Sequence, residues 1–296
     1  SECGKVCLSL VRRIVIAKNI IWGNVSGIKM DRWTEGEVTT GIVPIHFYQT
    51  GATDKPALVL AHGFTDNGLC WARVVEKLKS SFNIVMVDAR NHGQSGQGIG
   101  DSSDLVDDLA SVIKHLGLEP TMAIGHSMGA GTVAGLAANY PELVARIVLE
   151  DPPWSENPGN ESEESANKRR EGFKQYLASM KEMSKEDILA LGHKQHPRWH
   201  ADDFPDWVQS NLQVGELALE GLKYSDWRLN IPKIQCPALL VYADGKRDGM
   251  LKQAVVDSIL SENSNFEACH IPDAGHNVRR ENFSAYVTAV SNFLSA

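Results

Sequence analysis

The sequence has few of the features that mark disulfide-rich, zinc-binding and membrane proteins. Its five cysteines are scattered, and the one close pair, Cys3 and Cys7, has neither the CxxC spacing nor the second pair that a zinc site needs. Arg12 and Arg13 interrupt the apolar N-terminal stretch well before the roughly 20 residues that span a membrane. We therefore expect a cytoplasmic protein with reduced thiols and without a membrane-spanning segment.

Positive charge is also scarce. The chain carries 29 Lys and Arg against 37 Asp and Glu, which gives a formal net charge of -8 at pH 7. Proteins that bind nucleic acid do so through basic surfaces that neutralise phosphates, so no nucleic acid partner is expected. With 43% hydrophobic residues in 296, the chain is large enough to bury the core of one sizeable domain.

Two parts of the chain, residues 36–151 and 233–296, alternate between apolar runs and amphipathic helical patterns. The short run at 55–63 stops at a glycine and predicts a buried strand, whereas the helical spacing at 103–117 predicts a surface helix. This alternation predicts an α/β fold with a mostly parallel sheet and helices on both faces.

Residues 152–232 have a different character. They combine Pro, Trp, His and many charged residues in helical patterns, without a strand-like apolar run. We expect them to form a helical lid, or cap, inserted over the ends of the strands. Residues 1–35 are assigned to an N-terminal extension outside the core.

The stretch AIGHSMGAG, residues 123–131, places Ser127 between Gly125 and Gly129. A predicted strand precedes the serine and a predicted helix follows it, so Ser127 falls in a tight strand-to-helix turn. Such a turn strains the backbone at the serine and brings strand and helix close together, which requires very small residues two positions before and after it. The pattern is typical of a nucleophile elbow and predicts that Ser127 is a catalytic nucleophile.

A serine nucleophile needs a general base and a group that orients the base. Two histidines come near the end of the last predicted strand. His270 belongs to the apolar run itself, whereas His276 lies in the loop after Gly275, where its ring can turn onto the edge of the sheet. His276 is therefore predicted to be the base.

The other histidines near glycines or charges have simpler explanations. His62 and His92 lie in glycine-containing turns and are expected to brace loops by hydrogen bonds. His193, His196 and His200 are close in sequence but lack a metal-binding motif, so we expect solvated or packing roles for them and no metal site.

Five short motifs follow the predicted strands in order: AHGFTDNG after the third, DARNHGQS after the fourth, GHSMG at the elbow, LEDPPW after the sixth and DAGHNVRRE after the eighth. From residue 37 to 296 the chain resembles an α/β-hydrolase, and within that superfamily it is similar to esterase-like hydrolases with a helical lid. The resemblance implies an oxyanion hole formed by the backbone N–H groups of Phe64 and Met128.

The resemblance leaves the triad acid open. Most members place it a few residues beyond the seventh strand, where this chain reads LLVYADGKRDGML and has Lys246 at the usual position. Asp244 comes two residues earlier, at the rigid end of the strand, and is preferred. Asp248, two residues later, and Asp151, after the sixth strand where some relatives keep their acid, are the alternatives.

The identity of the nucleophile narrows the chemistry that the resemblance implies. Members that attack an sp³ carbon use an aspartate at the elbow, so a serine indicates attack on an acyl carbonyl. The predicted function is hydrolysis of a carboxylic ester or lactone of a small to medium organic substrate, without a metal or organic cofactor. Trp154, Trp199 and Trp207 are candidates for lining an apolar substrate pocket.

The same triad supports other functions, which stay open at this stage. Among enzymes they are a carbon–carbon bond hydrolase, an amidase and a cofactor-free perhydrolase. From a different class, some members of the superfamily are small-molecule receptors that hydrolyse their ligand slowly. We expect the protein to be a monomer or a homodimer.

Overall fold

The fold is built on one eight-stranded sheet. The computed structural model of the chain describes residues 33–51, 53–158, 161–219 and 226–296. In these ranges the strands are β1 (Thr34–Thr40), β2 (Val43–Gln49), β3 (Ala57–Ala61), β4 (Asn83–Val87), β5 (Thr121–His126), β6 (Val144–Glu150), β7 (Ala238–Tyr242) and β8 (Phe266–His270). Their spatial order is β1-β2-β4-β3-β5-β6-β7-β8, and every pair from β4 onward is parallel.

Helices cover both faces of the sheet. The α-helices of the described ranges are α1 (Ala72–Leu78), α2 (Ser102–Leu116), α3 (Met128–Asn139), α4 (Glu163–Glu182), α5 (Lys185–Gln195), α6 (Phe204–Gln213), α7 (Gln253–Glu262), α8 (Val278–Glu281) and α9 (Phe283–Ser295). Buried side chains of α2, α3 and α7 form one core with one face of the sheet, and those of α1 and α9 form a second core with the other face. The mainly parallel sheet between two helical layers confirms the predicted fold class.

The segment between β6 and β7, which we call the insert, contains α4, α5 and α6. Its helices share a small apolar core of their own that includes Ile188, Phe204 and Trp207. A second apolar cluster joins Leu177 and Val214 of the insert to Phe64 in the loop after β3. The insert therefore packs onto the carboxyl ends of the strands, where the predicted site residues lie.

The predicted boundary of the N-terminal extension differs slightly from the start of the sheet. The predicted N-terminal extension, residues 1–35, overlaps the sheet because β1 already begins at Thr34. The rest of that extension, residues 1–32, lies outside the described residues. In the described parts of the chain, no helix has both the length and the hydrophobicity needed to cross a bilayer.

The glycines around Ser127 allow three backbone segments to approach closely. A Cβ added at Gly125 would overlap the backbone of Gly129, and a Cβ added at Gly129 would overlap the carbonyl group of Ala61 in β3. The same addition at Gly131, one half-turn further along α3, meets open space. The small residues predicted for the turn are therefore required. A Cβ at either glycine would overlap backbone atoms, which cannot rotate away as a flexible side chain could.

We expect Gly129→Ala to destabilise the fold by about 3 kcal/mol or more, because its methyl group would displace backbone rather than a flexible side chain. The matched control is Gly131→Ala in the same helix, which should be neutral or stabilising by about 0.5–1 kcal/mol because alanine favours helix. Free energies of unfolding from urea titrations check both. Equal stability of the two variants would contradict the close approach.

Candidate active site

Ser127 occupies the turn between β5 and α3 with φ 52° and ψ -114°. A serine at positive φ is strained by its own Cβ, and such strain is found where a turn must present a side chain in a fixed direction. The amide of Ser127 donates to the carbonyl of Glu150 at 3.0 Å, which ties the turn to β6. Its hydroxyl is thus held above the sheet at the first turn of α3.

His276 lies between Ser127 and a buried carboxylate. The Nε2 atom of its ring is 3.0 Å from Ser127 Oγ, and the Nδ1 atom is 2.7 Å from Asp151 Oδ2. These two distances define a continuous hydrogen-bonded line through three loops that follow β5, β6 and β8. When Nδ1–H donates a hydrogen bond to Asp151, Nε2 is unprotonated and can accept the hydroxyl proton of the serine.

Asp151 has a backbone conformation and a set of donors that aim its carboxylate at His276. Its φ is 39°, and its side chain has no exposed surface. The amides of Met250 and Leu251 donate to its two oxygens at 2.8 and 3.1 Å. Backbone donors of this kind stabilise the ionised form of a buried carboxylate.

The preference for Asp244 as the partner of His276 is corrected by this arrangement. The Asp244 carboxylate accepts the amide of Lys246 at 3.0 Å and so caps its own turn after β7. Asp248 is exposed and accepts the backbone amide of His276 at 3.3 Å, away from the ring. Asp151, held open as an alternative, is the residue that contacts the imidazole. The three aspartates differ in the direction of their side chains, and sequence spacing gives no information about that direction.

The two residues expected to supply oxyanion donors lie on either side of Ser127. Met128 is the first residue of α3, and the amide of a first helical residue has no partner within its helix. Gly63, which precedes Phe64, approaches Ser127 so closely that a Cβ on it would lie 3.4 Å from the Cβ of the serine. Phe64 O lies 2.7 Å from His92 Nε2, which fixes the loop.

A cavity of about 570 Å³ opens onto Ser127 and His276. Its walls come from the loops after the strands, from the start of α2 and from the insert. All three predicted pocket residues, Trp154, Trp199 and Trp207, line it. Cavities of this volume hold small organic molecules.

Four buried charged residues beside the site were missed by sequence reasoning. They alternate in sign and form what we call the charge series: Glu150, Arg279, Asp66 and Arg280. Arg279 donates to Glu150 through its amide at 2.9 Å and to Asp66 Oδ2 through Nη2 at 2.6 Å, and Arg280 Nη2 donates to Asp66 Oδ1 at 3.0 Å. Asp66 belongs to the HGFTDNG motif and both arginines to HNVRRE. The motifs were visible in the sequence, but their pairing was not.

Burial and neighbouring charge act in opposite directions within the charge series. Burial penalises ionisation of Asp66, but the charges of Arg280 and Arg279 outweigh it and hold the pKa of Asp66 below its ordinary value. Burial raises the pKa of Glu150 despite Arg279 beside it. The cations therefore face one firmly ionised carboxylate and a second that is harder to ionise.

His126, within the elbow motif itself, was also missed. Its Nε2 lies 3.0 Å from the carbonyl oxygen of His276, and its ring is buried. Burial lowers the pKa of His126 well below its ordinary value, so the ring is neutral and donates to that carbonyl through Nε2. The strand that leads to Ser127 thereby also fixes the loop that carries His276.

Four further histidines brace loops or pack against aromatic rings. His62 Nε2 accepts the amide of Ala89 at 3.0 Å, and His92 Nδ1 lies 2.8 Å from Arg90 O, as predicted for loop-bracing residues. In the insert, His196 stacks on Trp199 and His193 packs against Phe204. The described ranges contain no group of three His, Cys, Asp or Glu residues arranged to hold a metal ion.

Comparison with known proteins places this geometry in a family. The family model described as alpha/beta hydrolase fold matches residues 56–279. The chain belongs to the α/β-hydrolase superfamily. The sequence resemblance to that superfamily is thereby confirmed.

Individual relatives span different parts of the chain. A bifunctional esterase/perhydrolase of Acinetobacter calcoaceticus is 38% identical over 120 residues, which are 38% of this chain and 43% of that protein, so the match spans less than half of its length. N-formylmaleamate deformylase of Pseudomonas putida is 24% identical over 270 residues, 88% of this chain and 96% of the relative.

Solved structures agree on the fold. The crystal structure of E-2-(acetamidomethylene)succinate hydrolase superposes with a TM-score of 0.73 at 22% identity, covering 89% of this chain and 100% of that one. The enol-lactonase of Burkholderia xenovorans gives a TM-score of 0.71 at 21% identity, with 88% and 100% coverage.

We expect Arg279→Gln to destabilise the protein by about 3–5 kcal/mol, because it leaves the buried carboxylates of Asp66 and Glu150 without their shared cation. The control is Arg247→Gln, which removes an exposed pair with Asp273 at 3.3 Å and should change stability by less than about 1 kcal/mol. Chemical denaturation measures both. A loss below about 1 kcal/mol for Arg279→Gln would contradict the central place of this arginine.

Proposed function

We propose that the protein is a serine hydrolase that cleaves a carboxylic ester or lactone of a small to medium organic substrate. The observation that carries the proposal is the line from Ser127 Oγ through the His276 ring to Asp151, with separations of 3.0 and 2.7 Å, at the wall of a 570 Å³ cavity. In the proposed reaction His276 Nε2 takes the proton of Ser127 Oγ while the oxygen attacks the substrate carbonyl. The carbonyl oxygen becomes an oxyanion, which the amides of Phe64 and Met128 stabilise.

The reaction is completed in two stages, acylation of Ser127 and hydrolysis of the acyl-enzyme. The bond to the leaving alkoxide breaks, and the alkoxide takes the proton from His276, which leaves the acyl group on Ser127. Water, deprotonated by the same ring, then adds to the acyl carbonyl and gives a second tetrahedral intermediate. The bond from the acyl carbon to Ser127 Oγ breaks, Oγ takes the proton back from His276, and the carboxylic acid is released. Asp151, buried and bonded by two amides, is proposed to hold the Nδ1 proton and to stabilise the imidazolium that forms in each stage.

The similar proteins support hydrolysis without fixing the bond. Their names include esterase/perhydrolase, deformylase and enol-lactonase. The N-formylmaleamate deformylase matches most of this chain, so an amide-type bond is the second candidate. An ester remains the first because Ser127 is positioned for acylation and an alkoxide leaves more readily than an amine.

Ser127→Ala should abolish turnover of p-nitrophenyl acetate and butyrate and labelling by a fluorophosphonate probe, since both need the serine oxygen as nucleophile. Steady-state release of p-nitrophenol and mass spectrometry of the labelled peptide measure the two effects. Full esterase activity in the variant, or labelling that survives it, would refute the proposal. A parallel panel of lactones and formamides identifies the preferred bond.

Replacing the carboxylate with a carboxamide at Asp151 and at Asp244 distinguishes the roles of these two candidate acids. Asp151→Asn should lower kcat by about 10³–10⁴-fold, because the amide stabilises the wrong tautomer of His276. Asp244→Asn, the matched control, changes a turn cap and should keep kcat within about threefold of the native value. The opposite ranking would restore Asp244 as the acid.

Pre-steady-state kinetics distinguish an enzyme from a slow-hydrolysing receptor. An enzyme releases many equivalents of product with a constant rate after any initial burst. A receptor stops after one equivalent, with the acyl group retained on Ser127. We expect multiple turnover, and a single equivalent of product on every ester and lactone tested would contradict it.

A further inference from the structure

Five glycines lie inside the α-helices of the described ranges, and their surroundings divide them into two groups. Three of them have an atom of another element within 2.6 Å of the position that an added Cβ would take, and these are Gly129, Gly135 and Gly192. At Gly131 and Gly172 an added Cβ would meet nothing within 4 Å apart from its own stretch of helix. Close packing therefore explains the first three glycines and leaves the other two unexplained.

Glycine is unfavourable in the interior of a helix where no contact requires it. It loses more conformational freedom on folding than alanine does, and alanine would fit at both open positions. Neither Gly131 nor Gly172 has the positive φ that other residues avoid. The fold itself therefore gives no reason for glycine at these two positions.

Gly172 lies on the face of α4 that is turned toward the cavity containing Ser127. The residues of α4 that line this cavity are Arg169, Gly172, Phe173 and Tyr176. Their spacing of i, i+3, i+4 and i+7 is that of one helix face, with Gly172 in its middle. The missing side chain at Gly172 therefore leaves space in the cavity. Arg169 on this face is paired with Glu161 at 2.6 Å.

Gly131 has the corresponding position on α3, nearer to Ser127. The cavity is lined there by Met128, Gly131 and Thr132, again with the i, i+3, i+4 spacing of one face. The amide of Gly131 donates to the carbonyl oxygen of Ser127 at 3.2 Å. Gly131 is thus one helical turn, about 6 Å along the axis, from Ser127. It is half-buried whereas Gly172 is exposed, so Gly131 is the deeper of the two openings.

The side chains beside both openings are apolar. Met128, one turn before Gly131, and Phe173, next to Gly172, pack against one apolar cluster that includes Phe64. The centroids of the Phe64 and Phe173 rings are 4.8 Å apart. Because Phe64 and Met128 are the residues expected to supply the oxyanion donors, this cluster adjoins the expected position of the substrate carbonyl. A hydrocarbon group extending from that carbonyl into the open space would contact apolar side chains.

We infer that Gly131 and Gly172 determine substrate specificity by leaving room for a ring or a branched hydrocarbon group next to the bond that is cleaved. The inference rests on the proposed function, and it adds the substrate class. A ring fills the space and is removed from water against apolar side chains, whereas a short linear ester leaves the space empty. A side chain at either glycine would occupy the volume that the ring needs.

Two isomeric esters test the preference and show which side of the substrate carries the ring. Ethyl cyclohexanecarboxylate has the ring on the acyl side, cyclohexyl propanoate has it on the alcohol side, and ethyl propanoate is the reference without a ring. Values of kcat/KM from pH-stat titration are divided by each ester's rate constant for alkaline hydrolysis, which corrects for intrinsic reactivity. We expect at least one ring ester to exceed ethyl propanoate by about tenfold or more.

Leucine at each opening fills the space while the helix is kept, because leucine is a good helix former. Gly131→Leu and Gly172→Leu should each reduce the preference for the ring ester by about tenfold and keep kcat/KM for ethyl propanoate within about threefold of the native value. The matched control is Ala178→Leu, which enlarges an exposed residue of α4 and should leave the preference within about twofold. Gly172→Leu, at an exposed position, keeps the test decisive where Gly131→Leu fails to fold.

Binding to Ser127→Ala gives a readout that does not depend on turnover. The ligands are the amides that correspond to the three esters: N-ethylcyclohexanecarboxamide, N-cyclohexylpropanamide and N-ethylpropanamide. We expect calorimetry to show tighter binding of a ring amide than of N-ethylpropanamide. Gly172→Leu in the same background should remove that difference, and Ala178→Leu should preserve it.

The outcomes separate the two proposals. Ser127-dependent cleavage without preference for either ring ester, or a preference that the leucine variants retain, overturns the specificity inference and leaves the serine hydrolase in place. Absence of both cleavage and fluorophosphonate labelling refutes the hydrolase, and amide binding then decides the specificity inference alone. An equal loss of preference in Ala178→Leu would also overturn the inference, because that side chain lies away from the cavity face of α4.

Discussion

The candidate site is assembled around the guanidinium group of Arg279. Arg279 lies three residues after His276, packs over the Trp71 ring at 4.3 Å and contacts two carboxylates from distant parts of the chain. Glu150 ends β6 immediately before Asp151, and Asp66 lies two residues after Phe64. One buried cation therefore joins the loops that carry His276, Asp151 and Phe64. Breaking such a group leaves uncompensated buried charge, so the three loops hold their relative positions together.

The same cluster reaches the insert. Arg280 shares Asp66 and lies against Trp199, a residue of the insert's own apolar core. Arg73 on α1 pairs with Asp203, and Arg198 pairs with Glu281, so further ion pairs cross between the insert and the hydrolase core. Partly exposed ion pairs contribute little stability individually. They do constrain the direction in which the insert approaches, and this direction sets the cavity walls above Ser127.

Local patterns in the sequence were sufficient to predict the fold and to select Ser127 and His276, two residues that the structure places in contact. Strand-to-helix alternation depends on periodicity, and the elbow around Ser127 depends on glycines at fixed spacing, so both can be recognised within a few residues. His276 could be placed because it follows the last strand. The charge series could not be predicted in this way, because Asp66 and Arg279 are 213 positions apart and neither residue type is unusual where it stands.

Sequence spacing alone led to the wrong choice of the aspartate that contacts His276. Asp244 and Asp248 lie in the loop after β7, where the resemblance places the acid, but that loop acts on the site through its backbone. The amides of Met250 and Leu251 donate to the carboxylate of Asp151. A fully buried carboxylate needs hydrogen-bond donors, and the loop after β7 supplies them through its backbone instead of a side chain. Asp151 and the loop that stabilises it thus come after neighbouring parallel strands, β6 and β7. Any residue except proline can donate a hydrogen bond through its backbone N–H. The contribution of this loop therefore cannot be recognised from its sequence.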